Sequence, residues 1–158
     1  MKAVVLTISD GCYHEKREDT SGKMLRQILA EKKWDVSETR IIPDNISKIQ
    51  KEILEFSEQE YDLIVTTGGT GLGPHDVTPE AIGPLLDREV PGLGELMRFR
   101  GIQVTDFAAL SRSLAGVRNQ TLILSLPGSP KGASESLIAV IKVLPHAVDL
   151  LHGRTKHR

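Results

Sequence analysis

The segment that decides the fold is YDLIVTTGGTGLGPHDVTPEAI, which runs from Tyr61 to Ile82. Its opening YDLIVTT is mostly apolar and rich in β-branched side chains, which predicts a strand buried on both faces of a parallel sheet. Four glycines follow within six residues, and Thr78, Pro79 and Glu80 then supply the residue types of a helix start. A buried strand that leads through a glycine loop into a helix is the repeating unit of an α/β domain.

The same alternation of strand and helix patterns extends over the rest of the chain. Strands are predicted over residues 2–9, 36–44, 61–67 and 120–128, and helices over 20–34, 45–60, from 78 onward, 91–102 and 131–144, with a restart after Pro145. Residues 106–116 fit either a helix or a loop. We therefore predict a single domain over residues 1–158, a three-layer α/β/α fold with a mainly parallel sheet and helices on both faces.

Composition narrows the class of protein. The chain has 158 residues, 39% of them hydrophobic, enough for one domain with its own core. A net charge of −1 offers no basic surface for nucleic acid. The single cysteine, Cys12, fits a reducing compartment, and the opening apolar run is too short to cross a membrane. We expect a cytoplasmic protein with neither nucleic acid nor membrane as a partner.

The predicted sheet brings four loops to one edge. In open α/β sheets, ligands bind outside the carboxyl ends of the strands, and the loops at that edge follow Ser9, Ile42, Thr67 and Leu126. Each loop contains polar residues or glycines. The candidate site is therefore expected to combine segments that are far apart in sequence.

The glycine loop after Thr67 predicts an anion site. Exposed backbone N–H groups beside a helix start bind phosphate, although the segment has neither the lysine of a P-loop nor the third glycine of a dinucleotide fingerprint. A tight connection without a ligand is the alternative. Asp76 would repel a phosphate unless a cation lies between them, and Mg²⁺ is usually held by one or two carboxylates plus substrate phosphates. Asp44 is the second candidate ligand. Asp10 and Asp19 flank the first loop, and any one of these acids could instead be a helix cap or turn former.

Two further segments carry candidate residues. LSLPGSPKGA, residues 124–133, predicts a stiff turn and a helix start where Lys131 could neutralise a phosphate. ALSRSLAG, residues 109–116, offers the hydroxyls of Ser111 and Ser113 and the guanidinium of Arg112. A rigid turn without a ligand and a surface ion pair of Arg112 are the respective alternatives. The histidines show no metal-ligand spacing, which argues against a zinc site.

Together these motifs resemble one known family. TTGGTG…DVTPEA, LPGSPKG, DREVPGLGELMR and ALSRSLAG, with ISD, DTSG and RIIPD in the family's order, resemble the MogA/MoaB family of molybdenum-cofactor biosynthesis proteins, whose domain is shared with gephyrin. The resemblance covers nearly the whole chain. It implies a molybdopterin adenylyltransferase that uses Mg²⁺ and converts molybdopterin and ATP into adenylyl-molybdopterin and pyrophosphate. It also implies a homotrimer, or a hexamer of two trimers, and a downstream molybdenum insertase as a partner.

The resemblance also implies roles for individual residues. Asp44 and Asp76 match the acids required for adenylyl transfer, and we expect both to hold Mg²⁺. The residues expected to bind ATP or molybdopterin are Ser9, Asp10, Thr67, Gly68, Gly69, Thr70, Gly71, Ser111, Arg112, Ser113, Pro127, Gly128, Ser129 and Lys131. The chain departs from the family pattern at His75, where many members have arginine, and at Gly132 and Ala133, where many bacterial members have serine.

Three other functions compete with the transferase. The first is a MoaB-like paralogue that binds a pterin without this activity, and the second is a CinA-type Mg²⁺-dependent nucleotide pyrophosphatase, which normally carries a further domain. The third is a structural trimer, which would have no use for Asp44 and Asp76 in a cleft. We also expect self-association through exposed apolar residues around Leu93, Leu96 and Met97.

Overall fold

The computed structural model describes residues 1–154 and contains one sheet with helices on both faces. The strands are β1 (Lys2–Ile8), β2 (Asp35–Ile42), β3 (Leu63–Thr67), β4 (Arg88–Glu89), β5 (Ala115–Arg118) and β6 (Thr121–Leu126). The helices are α1 (Asp10–Tyr13), α2 (Thr20–Glu31), α3 (Ile46–Glu58), α4 (Thr78–Ile82), α5 (Pro91–Ile102), α6 (Pro130–Val140) and α7 (Leu144–Leu151), with 3₁₀ turns over Gly83–Leu85 and Asp106–Leu110.

The sheet has the strand order β2-β1-β3-β6-β5-β4. The first four strands are parallel, while β5 runs antiparallel to β6 and β4 antiparallel to β5. Because β2, β1, β3 and β6 are parallel and adjacent, the loops that follow them meet at one edge of the sheet. This arrangement confirms the predicted three-layer fold with its mainly parallel sheet.

Alternate residues of the central strands face two separate apolar layers. Val5 and Val65 pack with α2, α5, α6 and α7 on one side. Leu6 and Ile64 pack with α3 and α4 on the other. The side chains at these positions are fully buried on both faces of the sheet. This explains why the strands are continuous apolar runs and do not alternate between apolar and polar residues.

The structure corrects the expectation about exposed residues on α5. Leu93 and Met97 are 8% and 2% exposed and belong to the core, because this side of α5 packs against the sheet. Leu96 is partly buried against the same layer. These three side chains therefore do not form an exposed association surface.

The ambiguous segment after α5 is neither a long helix nor a simple loop. It forms the 3₁₀ turn Asp106–Leu110, continues in extended conformation through Ser111, and joins the sheet as β5. Strands β4 and β5 were not predicted, since the first has two residues and the second contains only four.

Candidate active site

The loops after β1 and β2 are joined by two reciprocal hydrogen bonds. The backbone N–H of Asp10 donates to Oδ2 of Asp44 at 2.9 Å, and the N–H of Asp44 donates to Oδ1 of Asp10 at 2.9 Å. Each carboxylate thus satisfies the first free amide of the other loop. Through these two bonds, Asp10 orients Asp44.

The glycine loop after β3 has a backbone that only glycine tolerates without strain. Gly68 and Gly69 have positive φ angles of 105° and 67°, a region that side chains with a Cβ rarely adopt. A Cβ on Gly68 would lie 2.1 Å from the carbonyl oxygen of Ile8, and one on Gly69 would lie 2.3 Å from Oγ1 of Thr78 and 3.2 Å from Oδ1 of Asp44. The loop is therefore pressed against β1, α4 and the Asp44 carboxylate.

Asp76 folds back over the same loop. Its Oδ2 accepts the backbone N–H of Gly73 at 2.8 Å, and a Cβ on Gly71 or Gly73 would lie 2.8 Å from this oxygen. Asp44 and Asp76 consequently lie against neighbouring parts of one loop, although 32 residues separate them in sequence. The structure brings together the two acids that the sequence singled out.

The pKa of Asp44 reflects this crowding. Burial of the carboxyl raises its pKa, the hydrogen bond from the Asp10 amide partly offsets the rise, and the negative charges of Asp10 and Asp76 raise it further. His75, one of the departures from the family pattern, acts weakly in the opposite direction. A cation beside Asp44 would relieve the repulsion among these acids.

The donor set of the two acids suits Mg²⁺. Among residues 1–154, Oδ1 of Asp44 and Oδ1 of Asp76 have no hydrogen-bond donor, and each carboxylate uses its Oδ2 to accept a backbone amide. Hard oxygen ligands of this kind are those that Mg²⁺ prefers, with water and phosphate oxygens completing the shell. The described part of the chain contains no cluster of three or more metal-ligating side chains. Two carboxylate oxygens alone would leave the other coordination positions of such a metal to water or phosphate oxygens.

A cavity of about 720 Å³ contains both acids; its lining is about equally polar and apolar, and we call it the polar cavity because it is the more polar of two adjoining cavities. Its walls come from the loops after β1, β2, β3 and β6 and from the start of α2. The lining residues are Thr7, Ile8, Ser9, Cys12, Arg17, Glu18, Thr20, Ser21, Asp44, Thr67, Gly68, Gly69, Thr70, Gly71, Asp76, Gly128, Ser129 and Pro130. The cavity lies at the carboxyl edge of the parallel strands, as the topology predicted.

A second cavity of about 320 Å³ adjoins the first and is mainly apolar. It is bounded by α5, the 3₁₀ turn at Asp106–Leu110 and the start of α6. Its lining includes the predicted Ser111 and Ser113, whose hydroxyl oxygens lie 2.9 Å apart, and also Met97 and Phe107. The two cavities share a wall made of Thr70, Gly71, Gly128 and Ser129.

The PGSP turn is fixed to the glycine loop. The hydroxyl of Thr67 donates to the carbonyl oxygen of Pro127 at 2.7 Å, and a Cβ on Gly128 would lie 3.2 Å from Cα of Gly68. Ser129 caps α6 by accepting the N–H of Gly132 at 3.1 Å. A Cβ on Gly132 would lie 2.7 Å from that hydroxyl oxygen. Glycine at this position, one of the departures from the family pattern, therefore leaves room for the side chain of Ser129 to cap the helix.

Arg112 binds the glycine loop through its side chain. Its Nε donates to the carbonyl oxygen of Gly71 at 2.9 Å and its Nη2 to that of Asp76 at 2.8 Å, while Nη1 pairs with Glu80. This pairing lowers the pKa of Glu80. All three guanidinium nitrogens therefore have partners within the protein, and Arg112 positions the loop that carries Asp76.

Three of the predicted residues line neither cavity, namely Asp10, Arg112 and Lys131. The first two act on Asp44 and on the glycine loop, as described above. The side chain of Lys131 is 74% exposed and lies 4.0 Å from Glu135. The other predicted residues line one or both cavities.

Sequence reasoning missed several residues that shape the site. Arg17 lines the polar cavity and donates from Nη2 to the hydroxyl oxygen of Ser9 at 2.9 Å. Thr78 was expected to cap α4, but the cap residue is Val77; Thr78 is instead the first residue of the helix, is fully buried and donates its hydroxyl to the carbonyl oxygen of Gly68 at 2.8 Å. Arg98 donates to the carbonyl oxygen of Ser113 at 2.7 Å. No local pattern distinguishes these residues, because their partners are distant in sequence or belong to an irregular loop.

Comparison with known proteins identifies the family of this chain. Residues 4–146 match the family model described as "Probable molybdopterin binding domain". The chain is 41% identical over 152 residues to the molybdopterin adenylyltransferase of Helicobacter pylori strain J99, a match that covers 94% of this chain and 86% of that protein. It superposes on the molybdopterin biosynthesis enzyme MoaB of Thermus thermophilus with a TM-score of 0.91 and 52% identity over 96% of each chain. The chain belongs to the MogA/MoaB family of molybdopterin-binding proteins.

Two further matches define the limits of the likeness, one by the length it covers and one by its low identity. The chain is 45% identical over 149 residues to the molybdenum cofactor synthesis protein cinnamon of Drosophila melanogaster, but spans only 25% of that protein. The CinA protein of Thermoplasma acidophilum shares 17% identity with a TM-score of 0.70, which shows the common fold alone. Within residues 1–154, no helix is long and apolar enough to cross a membrane.

Proposed function

We propose that this protein is a molybdopterin adenylyltransferase of molybdenum-cofactor biosynthesis. In this reaction AMP passes from ATP to the terminal phosphate of molybdopterin, and pyrophosphate is released. The observation that supports the proposal most strongly is the shared wall between the two cavities. One cavity is the more polar and contains Asp44 and Asp76, while the other is mainly apolar with two serine hydroxyls. Two substrates of different chemistry can thus meet at the glycine loop.

The division of the site suggests where each substrate binds. The apolar cavity, with Met97 and Phe107 beside Ser111 and Ser113, suits a flat heterocycle that also needs hydrogen bonds. The polar cavity, with its exposed loop amides, suits the triphosphate of ATP. The terminal phosphate of the pterin and the α-phosphate of ATP then meet near Gly71 and Gly128.

The chemistry requires placement and charge neutralisation more than proton transfer. An oxygen of the pterin phosphate, already anionic, forms a bond to the α-phosphorus of ATP. The bond from that phosphorus to the bridging oxygen breaks, and its electron pair leaves with pyrophosphate. No general base is needed, and the protein contributes by holding the two groups in line.

Asp44 and Asp76 are proposed as the ligands of one Mg²⁺. The metal, when bound, neutralises the charge that develops on the phosphate oxygens. Asp44 is oriented by Asp10, and Asp76 by the N–H of Gly73. Arg112 keeps the glycine loop in place through the carbonyl oxygens of Gly71 and Asp76. These contacts fix both acids before any substrate arrives, which is the requirement for electrostatic preorganisation.

Incubation of the purified protein with molybdopterin, Mg²⁺ and ATP labelled at the α-phosphate tests the proposal. We expect adenylyl-molybdopterin and pyrophosphate in equal amounts, and no product when EDTA replaces Mg²⁺. Absence of adenylyl-molybdopterin with all components present would contradict the proposal. AMP formation without molybdopterin would instead support a nucleotide pyrophosphatase of the CinA type. Binding of molybdopterin without any reaction of ATP would support the inactive paralogue.

We also propose that the protein assembles as a homotrimer or as a pair of trimers, and that its product is passed to a molybdenum insertase. Large apolar side chains are exposed within residues 99–110. They are Phe99, Ile102, Val104, Phe107 and Leu110. Concentrated apolar surface of this kind marks regions that other proteins cover. This segment replaces Leu93 and Met97 as the candidate association surface.

A further inference from the structure

Arg17 lines the polar cavity, and within residues 1–154 only one nitrogen of its guanidinium has a hydrogen-bond partner. Its Nη2 donates to the hydroxyl oxygen of Ser9, the residue that caps α1. The side chain lies across Gly11, where a Cβ would be 3.3 Å from Nε. Within residues 1–154, Nε and Nη1 of Arg17 have no hydrogen-bond or ion-pair partner. One nitrogen of the guanidinium is thus fixed by Ser9, while the N–H groups of Nε and Nη1 can donate to a ligand.

The charge of the cavity wall gives Arg17 a distinct place. Among the lining residues it is the single basic side chain, whereas Glu18, Asp44 and Asp76 are acidic. A triphosphate adds further negative charge. A Mg²⁺ held by Asp44 and Asp76 would neutralise only the phosphates next to it, and a guanidinium could neutralise phosphates farther away.

The order of the strands places Arg17 opposite the apolar cavity. Arg17 belongs to the loop after β1, the glycine loop follows β3, and the PGSP turn follows β6. These strands lie side by side in the order β1-β3-β6. The apolar cavity is on the far side of the PGSP turn, against α5 and α6. Arg17 and the apolar cavity therefore lie on opposite sides of the glycine loop.

In-line displacement then assigns a ligand to Arg17. The attacking phosphate enters from the apolar cavity, and the leaving group departs on the opposite side of the α-phosphorus. We infer that Arg17 binds the β- and γ-phosphates of ATP and stabilises the pyrophosphate as it leaves. This inference rests on the proposed function, because the direction of attack is set by the position of the pterin.

The test compares two Arg17 variants with a matched control that removes a charge from the same loop. Arg17→Ala removes the guanidinium, and Arg17→Lys keeps the charge without the planar fork. Lys16→Ala is the control, since Lys16 is exposed and lines neither cavity. Calorimetric titrations with Mg-pyrophosphate, Mg-ATP and AMP measure each affinity, and thermal unfolding checks that the variants fold.

We expect Arg17→Ala to weaken binding of Mg-pyrophosphate and Mg-ATP by about tenfold or more, the usual effect of losing a charge-assisted hydrogen bond to phosphate. AMP affinity should stay within about twofold, because AMP lacks the β- and γ-phosphates. The affinity of Arg17→Lys for Mg-pyrophosphate and Mg-ATP should lie between that of Arg17→Ala and that of the wild type, and Lys16→Ala should match the wild type. Equal pyrophosphate affinity in Arg17→Ala and Lys16→Ala would overturn the inference, as would an equal loss for AMP.

The outcomes also separate this inference from the proposed function. If the wild type forms adenylyl-molybdopterin but Arg17→Ala binds pyrophosphate normally, the role of Arg17 is wrong and the function stands. If Arg17→Ala loses pyrophosphate binding but the wild type makes no adenylyl-molybdopterin, Arg17 is a phosphate ligand and the function is wrong. If the wild type binds neither pyrophosphate nor ATP, both are wrong.

Discussion

Asp10 and Asp44 each accept the backbone N–H of the other at 2.9 Å, which ties the loop after β1 to the loop after β2. Two carboxylates are thus held together by amides in spite of their like charges. The arrangement leaves Oδ1 of Asp44 facing the glycine loop. Orientation of a proposed metal ligand by an acid from another loop is the basis of the first prediction.

Asp10→Ala should destabilise the protein and slow adenylyl transfer. The N–H of Asp44 loses its acceptor, and an unsatisfied, partly buried amide costs about 1–3 kcal/mol in the free energy of unfolding. Misplacement of Asp44 should slow transfer roughly tenfold and raise the Mg²⁺ concentration needed for half-maximal rate. Urea unfolding and a Mg²⁺ titration of the rate measure the two effects.

Asp10→Asn is the matched control, because its side-chain oxygen can still accept the amide of Asp44. It should recover most of the stability and most of the Mg²⁺ dependence. A Mg²⁺ requirement for Asp10→Ala that equals that of the wild type would show that Asp10 does not orient a metal ligand.

Asp44→Asn should change how stability depends on pH. Burial and the charges of Asp10 and Asp76 raise the pKa of Asp44 in the folded protein, so the folded state binds its proton more tightly than the unfolded state does. Stability contributed by this group therefore falls as pH rises from about 3.9, the ordinary value for aspartate, through the raised pKa. Asp44→Asn has no carboxyl at this position, so its stability should not fall in this way as pH rises.

Melting temperatures measured from pH 4 to pH 7 without Mg²⁺ check this prediction. The melting temperature of Asp44→Asn should rise relative to that of the wild type as pH increases. Added Mg²⁺ should reduce this difference by stabilising only the wild type. Parallel curves for the two proteins would mean that Asp44 is not strained by its neighbours.

Arg112→Ala should weaken the glycine loop. The variant loses the hydrogen bonds to the carbonyl oxygens of Gly71 and Asp76, which should cost about 2 kcal/mol in the free energy of unfolding and lower the transfer rate. Glu80→Gln is the control, because it removes only the ion pair. Glu80 is 49% exposed, and pairs of this kind contribute little. Denaturant unfolding that ranks the two variants equally would refute the loop-positioning role of Arg112.

Light scattering tests the proposed assembly. At micromolar concentration we expect a mass of three or six times the 17.3 kDa chain. Phe99→Ser, which removes a large apolar side chain that is 61% exposed and lines neither cavity, should shift the mass towards the monomer if residues 99–110 form the contact. A monomeric wild type would contradict both the assembly and the use of this surface.

The sequence predicted the fold more completely than the site. Buried strands such as Leu63–Thr67 have a local signature, and their alternation with helices sets the parallel topology. Strand β5 has no such signature, because it contains Gly116, whose missing side chain makes room for Leu86 and the carbonyl of Arg88. Leu93 and Met97 could not be assigned from the pattern, since burial depends on which side of α5 meets the sheet.

At the site, the sequence indicated which residues carry charge but not what they contact. That Asp44 and Asp76 share one cavity was predictable, because both follow the ends of parallel strands. The partners of Arg112 lie 41 and 36 residues away, and nothing near Arg112 in sequence indicates that its guanidinium is already occupied. Arg17 sits in an irregular loop whose path is set by Ser9 and Gly11, so its place in the polar cavity emerges only from the folded structure.

Asp76→Asn provides the most direct test of the central claim that the glycine loop carries a metal ligand for adenylyl transfer. Asparagine keeps the shape of the side chain and its bond from the N–H of Gly73, so the melting temperature should change little. Molybdopterin affinity should also be retained, because Asp76 does not line the apolar cavity. Single-turnover transfer of labelled AMP to molybdopterin should fall on the order of a hundredfold or more, as expected when a metal that stabilises the transition state is lost. Transfer by Asp76→Asn at the wild-type rate would show that Asp76 only shapes the turn, and the assignment of the site would be wrong.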